Sequence, residues 1–353
     1  MKDNSKILIC YNSPVSVFSI YNGKPAEKQS EINDLSESGF SKEISSINKS
    51  LLEYFTDVKT FAIDGNVERS IAKINRYSPD VILNFVESVD GISTYEYCMA
   101  GLFELLKVEF TGNQPLCLGN CLNKQRAKDI LRANNINTPR ALVIDKSGSI
   151  SKINFNLKFP VILKLLTEDA SIGISEYSVV KNFKELKNHV NFLVSTYKQN
   201  IIAEEYVDGR ELNVAILGNK VLPISEIEFK GLPEGLPKIV TYDGKWIADS
   251  VYYENTKPKC PTDLDARTKK RIVSVALQAF NALGCRDYAR IDIRLDENGI
   301  PFVIEINPNP DISSDSGFAR AANADGMSHS DLLYTITKFA LSRRINDTQI
   351  KAS

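Results

Sequence analysis

The chain has 353 residues, 43% of them hydrophobic and 25% charged, too long for one small core and suited to two or three packed subdomains. Lys plus Arg total 43 against 44 acids, a formal net charge of −1, so no global field favours nucleic acid or an anionic membrane, and phosphate binding has to come from a few placed lysines and backbone amides. The apolar run in MKDNSKILICYNS ends too soon for a signal-peptide core or a spanning helix. Of the six cysteines, Cys117 and Cys121 form the one close pair, and no second pair follows to complete a zinc site. They read as reduced thiols, and a cytoplasmic enzyme is the expectation.

The first third alternates strand and helix patterns. Lys6 to Tyr11 reads as strand, Glu43 to Phe55 as helix, and Val58 to Ile63 as strand. Val67 to Tyr77 then reads as helix, Asp80 to Val86 as a buried strand, and Thr94 to Lys107 as an amphipathic helix before a short strand ending at Gly112. Such alternation predicts a parallel sheet covered by helices. No G-x-G-x-x-G follows the first strand, which argues against a dinucleotide-binding domain.

Next come a helix over Cys121 to Asn134 and a strand over Arg140 to Ile144. An apolar strand at Phe159 to Leu166 is interrupted only by Lys164. The polar loop TEDASIGIS leads to a helix at Phe183 to Tyr197 and a strand at Ile201 to Val207. A hairpin, Glu211 to Leu217 with Lys220 to Ile227, turns at Gly218-Asn219. Residues 228–262 show no sustained period, the usual mark of a functional loop. Asp263 to Leu283 is a long helix with Gly284 placed to end it.

The strongest chemical signal follows. In DYARIDIRL, Tyr288, Arg290, Asp292 and Arg294 alternate with Ala289, Ile291, Ile293 and Leu295. The turn DENG returns the chain through Pro301 to Ile306, where Glu305 and Asn307 share a face. A hairpin brings Asp292 beside both. Two carboxylates and an amide oxygen are hard donors suited to Mg²⁺. The alternation alone fits equally well with a polar outer face, but Glu305 ends an apolar run, FVIEIN, where burial of a carboxylate requires a partner.

On these residues the chain resembles an ATP-grasp enzyme of the D-alanine–D-alanine ligase type, from about Lys6 to about Phe339. Its most specific part is ARIDIRLDENGIPFVIEINPNP with GFARAANADGMSHSDLL. The resemblance implies an α/β ATP-grasp fold. An N-terminal parallel-sheet (pre-ATP-grasp) domain at 1–112 would precede two α+β subdomains enclosing ATP, at 113–203 and 204–342, with a flexible tail at 343–353. It implies that Lys124 and Lys164 hold the ATP phosphates and that Ser171 and Gly173 belong to the covering loop. Glu204, Glu205, Tyr206 and Val207 would grip adenine, and Glu211 the ribose. Lys245 would reach the transferred phosphate, and Arg290 the developing oxyanion. Asp292, Glu305 and Asn307 would hold two Mg²⁺, with Mn²⁺ as an alternative. Ser316 would contact the carboxylate of the second amino acid. The implied partners are small-molecule amino-acid or carboxylate substrates and a second copy of the chain, with no nucleic acid and no membrane.

Departures concentrate in the amino-acid pockets. The family's histidine-rich segment is here NFVESVDGIST, and its first-strand glutamate is replaced by YNSPVSVFS. Its glycine after the asparagine turn is Asp311, beside the second carboxylate site. Glu87, at a strand end, is the residue expected to take over amine recognition. The expected activity is formation of a dipeptide or amino-acid conjugate through an acyl phosphate. True D-alanine–D-alanine ligase activity and a non-catalytic nucleotide sensor are the alternatives.

Overall fold

The computed structural model describes residues 2–25, 35, 40–153 and 155–352. The first sheet is built from β1 (Asp3–Asn12), β2 (Phe55–Ile63), β3 (Val81–Phe85) and β4 (Glu109–Phe110), all parallel, in the order β2-β1-β3-β4. Its strands are apolar on both faces because helices cover both, namely α1 (Phe40–Leu51), α2 (Val67–Tyr77) and α3 (Glu96–Leu105). The stretch expected as one helix over Cys121 to Asn134 is two, α4 (Pro115–Leu122) and α5 (Lys124–Ala133). Asn123 separates them: its extended backbone breaks the first helix, and its side chain accepts the Arg126 amide to cap the second. Lys124 is therefore the first residue of α5.

A second, antiparallel sheet runs β5-β8-β6-β7, from β5 (Ala141–Ile144), β6 (Val161–Leu165), β7 (Val179–Val180) and β8 (Ile201–Glu205), backed by α6 (Phe183–Tyr197). The third sheet follows in chain order from β9 (Arg210–Leu217), β10 (Lys220–Val221) and β11 (Ser225–Glu228). Within the stretch read as irregular lie two single-turn helices, α7 (Tyr242–Trp246) and α8 (Val251–Asn255), and edge strand β12 (Lys257–Lys259). After α9 (Ala266–Ala282) come β13 (Tyr288–Leu295) and β14 (Pro301–Asn307), giving the order β12-β11-β9-β13-β14 with β10 paired to β9. The α9 face of Ile272, Ala276, Ala279 and Phe280 packs on Ile291, Ile293 and Val303, the inward set of the alternation.

The chain closes with α10 (Gly317–Ala324) and α11 (His329–Ala352), whose Phe318, Leu332, Leu333 and Ile336 share a core with Ile7, Ile9 and Leu83 of the first sheet. The third sheet is thus tied back to the first by buried apolar area. The stretch from residue 343, expected as a flexible tail, lies in α11, which runs to Ala352, and Arg343 binds Asp287 at 2.6 Å and Glu109 at 3.0 Å. Those two acids lie on loops and strands far away in sequence, so the tail's pattern alone carried no sign of them.

Candidate active site

A cleft of about 500 Å³ separates the second sheet from the third, with β6 and β8 on one wall and β9, β13 and β14 on the other. At its inner end, Asp292 on β13 pairs directly with Glu305 on β14, and Arg290 pairs with Asn307. The register shifts between Asp292 and Ile293, which leaves Ile304 of β14 as the extra residue of a bulge beside the pair. Arg290 grips Asp292 with two parallel bonds, 2.8 and 2.9 Å, while Asn307 donates to Asp292 Oδ2 at 3.0 Å and Asn213 to Oδ1 at 2.7 Å. The expected trio therefore converges. With its amide nitrogen spent on Asp292, Asn307 has its amide oxygen left as a donor, so the set offers three hard oxygens. Burial would raise the Glu305 carboxyl, but Lys124, Lys164, Lys245 and Arg290 outweigh it and hold it at about 2. Glu305 is therefore an ionised carboxylate at neutral pH, and the donor set fits Mg²⁺.

Lys124 is buried. Its ammonium lies 3.3 Å from Glu305 and 3.1 Å from Asp169. Lys164, the lone charge of its apolar strand, needs an anionic partner. The chain supplies one itself: Glu204 at 3.3 Å, which also takes Lys128 at 3.3 Å. Both Lys128 and Glu204 are almost wholly buried. Burial pushes Lys128 down to about 8, since one shared carboxylate does not repay its desolvation. Burial alone would raise Glu204, but its two lysines hold it below the ordinary glutamate value.

Further out, Glu211 pairs with Arg294 at 2.7 Å, and the Arg294 guanidinium lies 5.5 Å from the Tyr206 ring. The amides of Glu205 and Tyr206 are taken by the carbonyls of Arg140 and Pro160, at 2.9 Å each. Among the described residues the Val207 amide has no partner, so of this strip it is the one free to donate to a base edge. Ile162, Ile174 and Ile239 supply apolar walls alongside.

The roof comes from the TEDASIGIS loop and the 240s. Lys245 on α7 projects into the cleft, and Trp246 donates to the Ala170 carbonyl at 3.1 Å. Ser171 lines the cleft but spends its hydroxyl on the Val240 carbonyl at 3.1 Å. Gly173 is a correction. It faces away from the cleft, giving its amide to the Tyr21 carbonyl at 2.7 Å, and a Cβ on Gly23 would stand 2.2 Å from its oxygen. The close backbone approach requires glycine at position 23, in the arm following β1, while Gly173 itself has a φ of 77° and would set a Cβ against the Leu165 side chain. That arm also reaches α7, where Lys24 binds Asp243 at 2.6 Å and Glu176 at 3.1 Å.

The three substrate expectations do not line this cleft. Ser316 caps α10 by accepting the Ala319 amide at 3.1 Å, although its neighbours Asp315 and Gly317 reach the cleft wall. Asp311 accepts the Ser313 amide at 2.8 Å and adds its field to that of Asp292 on Arg290. Glu87 lies near the buried Glu96, whose carboxyl burial, and then the Glu87 charge, push well above its ordinary value. Sequence reasoning missed Lys128, Arg294 and Asn213. A signal existed for two of them: Lys128 is one helical turn beyond Lys124 on the same face, and Arg294 continues the Arg290–Asp292 alternation.

The family model for "D-ala D-ala ligase C-terminus" matches residues 135–338. A D-alanine–D-alanine ligase of Nitrosomonas europaea is 31% identical over 240 residues, 68% of this chain and 74% of that protein. The Sinorhizobium fredii protein y4sG is 33% identical over 266 residues, 74% of this chain and 75% of its own. The crystal structure of Bacillus anthracis D-alanine–D-alanine ligase complexed with ATP superposes with a TM-score of 0.72 over 98% of this chain and 100% of that one, at 22% identity, which shows the shared fold. The chain belongs to the D-alanine–D-alanine ligase family and is an ATP-grasp, ADP-forming carbon–nitrogen ligase.

Proposed function

We propose that this ligase activates an amino-acid carboxylate as an acyl phosphate at the Asp292–Glu305–Asn307 end of the cleft and joins it to an amine, giving a dipeptide or amino-acid conjugate. The observation that carries the reading is the convergence there of three hard oxygen ligands with Lys124, Lys164, Lys245 and Arg290. Bound Mg²⁺, two ions with Mn²⁺ as a substitute, supplies neutralisation of phosphate charge. Asp292, Glu305 and Asn307 hold it.

The chain's own groups do the remainder. Tyr206 and the free Val207 amide seat the base, and Glu211 accepts the ribose hydroxyls after Arg294 has fixed its orientation. Lys124 and Lys164 hold the phosphates, Lys124 exchanging Asp169 for phosphate as ATP enters. Lys245 reaches the transferred group from the roof. Arg290, locked in plane by Asp292, stabilises the oxyanion that forms as the amine attacks. Ser316, Asp311 and Glu87 are proposed on the acceptor side, where the Glu87 carboxylate would take a substrate ammonium. The three sheets support a subdomain boundary near residue 112 and a second between β8 and β9, a few residues beyond the expected 203.

A second reading has D-alanine as both substrates, favoured by the activity named for the Nitrosomonas europaea relative. NFVESVDGIST without histidine and Asp311 favour a different acceptor. Phosphate release with D-alanine alone, then with pairs from an amino-acid panel and mass detection of product, separates the two. ATP binding without turnover on any pair would sink both. An unchanged substrate KM in Glu87→Gln would remove Glu87 from the amine site.

A further inference from the structure

The fold assembles a group of thiols that the chemistry above does not use. Cys117 and Cys121 stand one turn apart on α4, and Cys285 follows the end of α9. Folding brings the three sulfur atoms within 4.8 Å of one another, with Cys117 and Cys285 at 3.6 Å. An ion bonded to three sulfurs at about 2.3 Å spaces them roughly 4 Å apart, so the group needs no backbone movement to close on a single ion. Cys117 and Cys121 are buried and Cys285 is partly exposed, which leaves an entry side.

A cationic side chain stands beside the three sulfurs. Arg286 adjoins Cys285 in the chain, and its Nη2 is buried without a hydrogen-bond partner. Its other contacts hold it in place: Nε donates to the Gly112 carbonyl at 2.7 Å, and its backbone amide donates to Asn113 Oδ1, also at 2.7 Å. Asp287, Glu109 and Glu104 act on the Arg286 charge, and its unpartnered Nη2 leaves an N–H available to a sulfur anion; a tris-thiolate bound to a monovalent ion carries a net charge of −2. No histidine or carboxylate joins the three sulfurs among the described residues, so the set lacks the fourth ligand of a structural zinc site.

We propose that Cys117, Cys121 and Cys285 form a binding site for one soft, thiolate-preferring metal ion, with Cu(I) the best-suited occupant because it accepts three sulfurs and needs no fourth ligand. The bound ion would clip α4, which leads directly into Lys124, to the root of β13, which carries Arg290 and Asp292. Its effect would be on stability, through the core that α4 and α9 share with the third sheet, independent of ligase turnover.

The test is an anaerobic titration of the reduced full-length protein with Cu(I) against a chromophoric chelator. The expected result is one ion retained per chain, with a thiolate-to-copper charge-transfer band in the ultraviolet. Loss of a direct ligand costs at least as much as loss of a supporting group, so Cys117→Ser and Cys285→Ser should each weaken retention by about tenfold or more. The exposed Cys98→Ser should retain the ion like the parent. X-ray absorption on the parent's copper complex reads the ligand count directly and needs no variant to fold. Three sulfurs support the site, whereas two or fewer overturn it. Failure of the fully reduced parent to retain copper, or retention unaffected by both serine variants, also overturns it.

Discussion

Glu204→Gln tests the buried charge arrangement under the phosphate end of the cleft. The carboxylate faces Lys128 and Lys164, each at 3.3 Å. Lys128 already stands at about 8 instead of 10.5, chiefly through burial. At about 1.4 kcal/mol per pH unit, keeping it charged at neutral pH destabilises the fold by about 3 kcal/mol. Without Glu204 the lysine gives up its proton, and by the same arithmetic its penalty stops rising at about 5 kcal/mol at pH 7. Lys128 thus adds at most about 2 kcal/mol. The orphaned Lys164 and a buried amide bring the expected loss to about 2–4 kcal/mol, near the range for breaking half of a buried pair. The sign with pH follows from the depressed lysine. Between about 8 and 10.5 the unfolded chain holds the proton that the folded chain has lost, so stability rises with pH across that window. In the variant the rise begins at lower pH, so its deficit should shrink by roughly 1–2 kcal/mol between neutral pH and pH above about 10. Urea unfolding at the two pH values measures this. A deficit below about 1 kcal/mol at neutral pH, or one that grows with pH, would refute the reasoning.

Asp169→Asn should lower the KM for ATP about two- to fivefold, because a half-exposed pair with Lys124 is worth at most about 1 kcal/mol and phosphate must displace it. A raised KM would show that Asp169 assists binding instead. Arg290→Lys keeps the charge but loses the two-point grip on Asp292, and kcat should fall on the order of a hundredfold with little change in ATP affinity. Glu305→Gln removes an ionised metal ligand and should raise the Mg²⁺ concentration for half-maximal turnover by about tenfold or more; an unchanged Mg²⁺ titration would move the metal elsewhere. Gly209→Ala should destabilise the fold by more than about 1 kcal/mol, since its φ is 142° and an added Cβ would stand 2.0 Å from the Leu295 carbonyl oxygen. Thermal denaturation reads that loss.

The metal trio was legible because it depends on local periodicity. A two-residue repeat and one short turn are enough to set Asp292 against Glu305, and the antiparallel ladder allows few other registers. The parallel first sheet was legible for the same reason, as each strand and helix declares its own period. What sequence could not decide is which distant charges meet. Lys164 has an evident need for an anion, but only the crossing of β6 and β8 gives it Glu204, and only the turn of α5 brings Lys128 to the same carboxylate. Gly173 read as a phosphate-loop glycine until the arm after β1 was seen to occupy that side. The three thiols, 168 residues apart at their widest hydrogen-bonded pair, became a group through the packing of α4 against the end of α9. Local pattern fixed the secondary elements and the ligand-bearing hairpin, because both follow from backbone geometry over a few residues. Partner choice among buried charges is a long-range matter: burial makes an unpaired charge too costly to keep, and only the tertiary fold determines which opposite charge lies within reach.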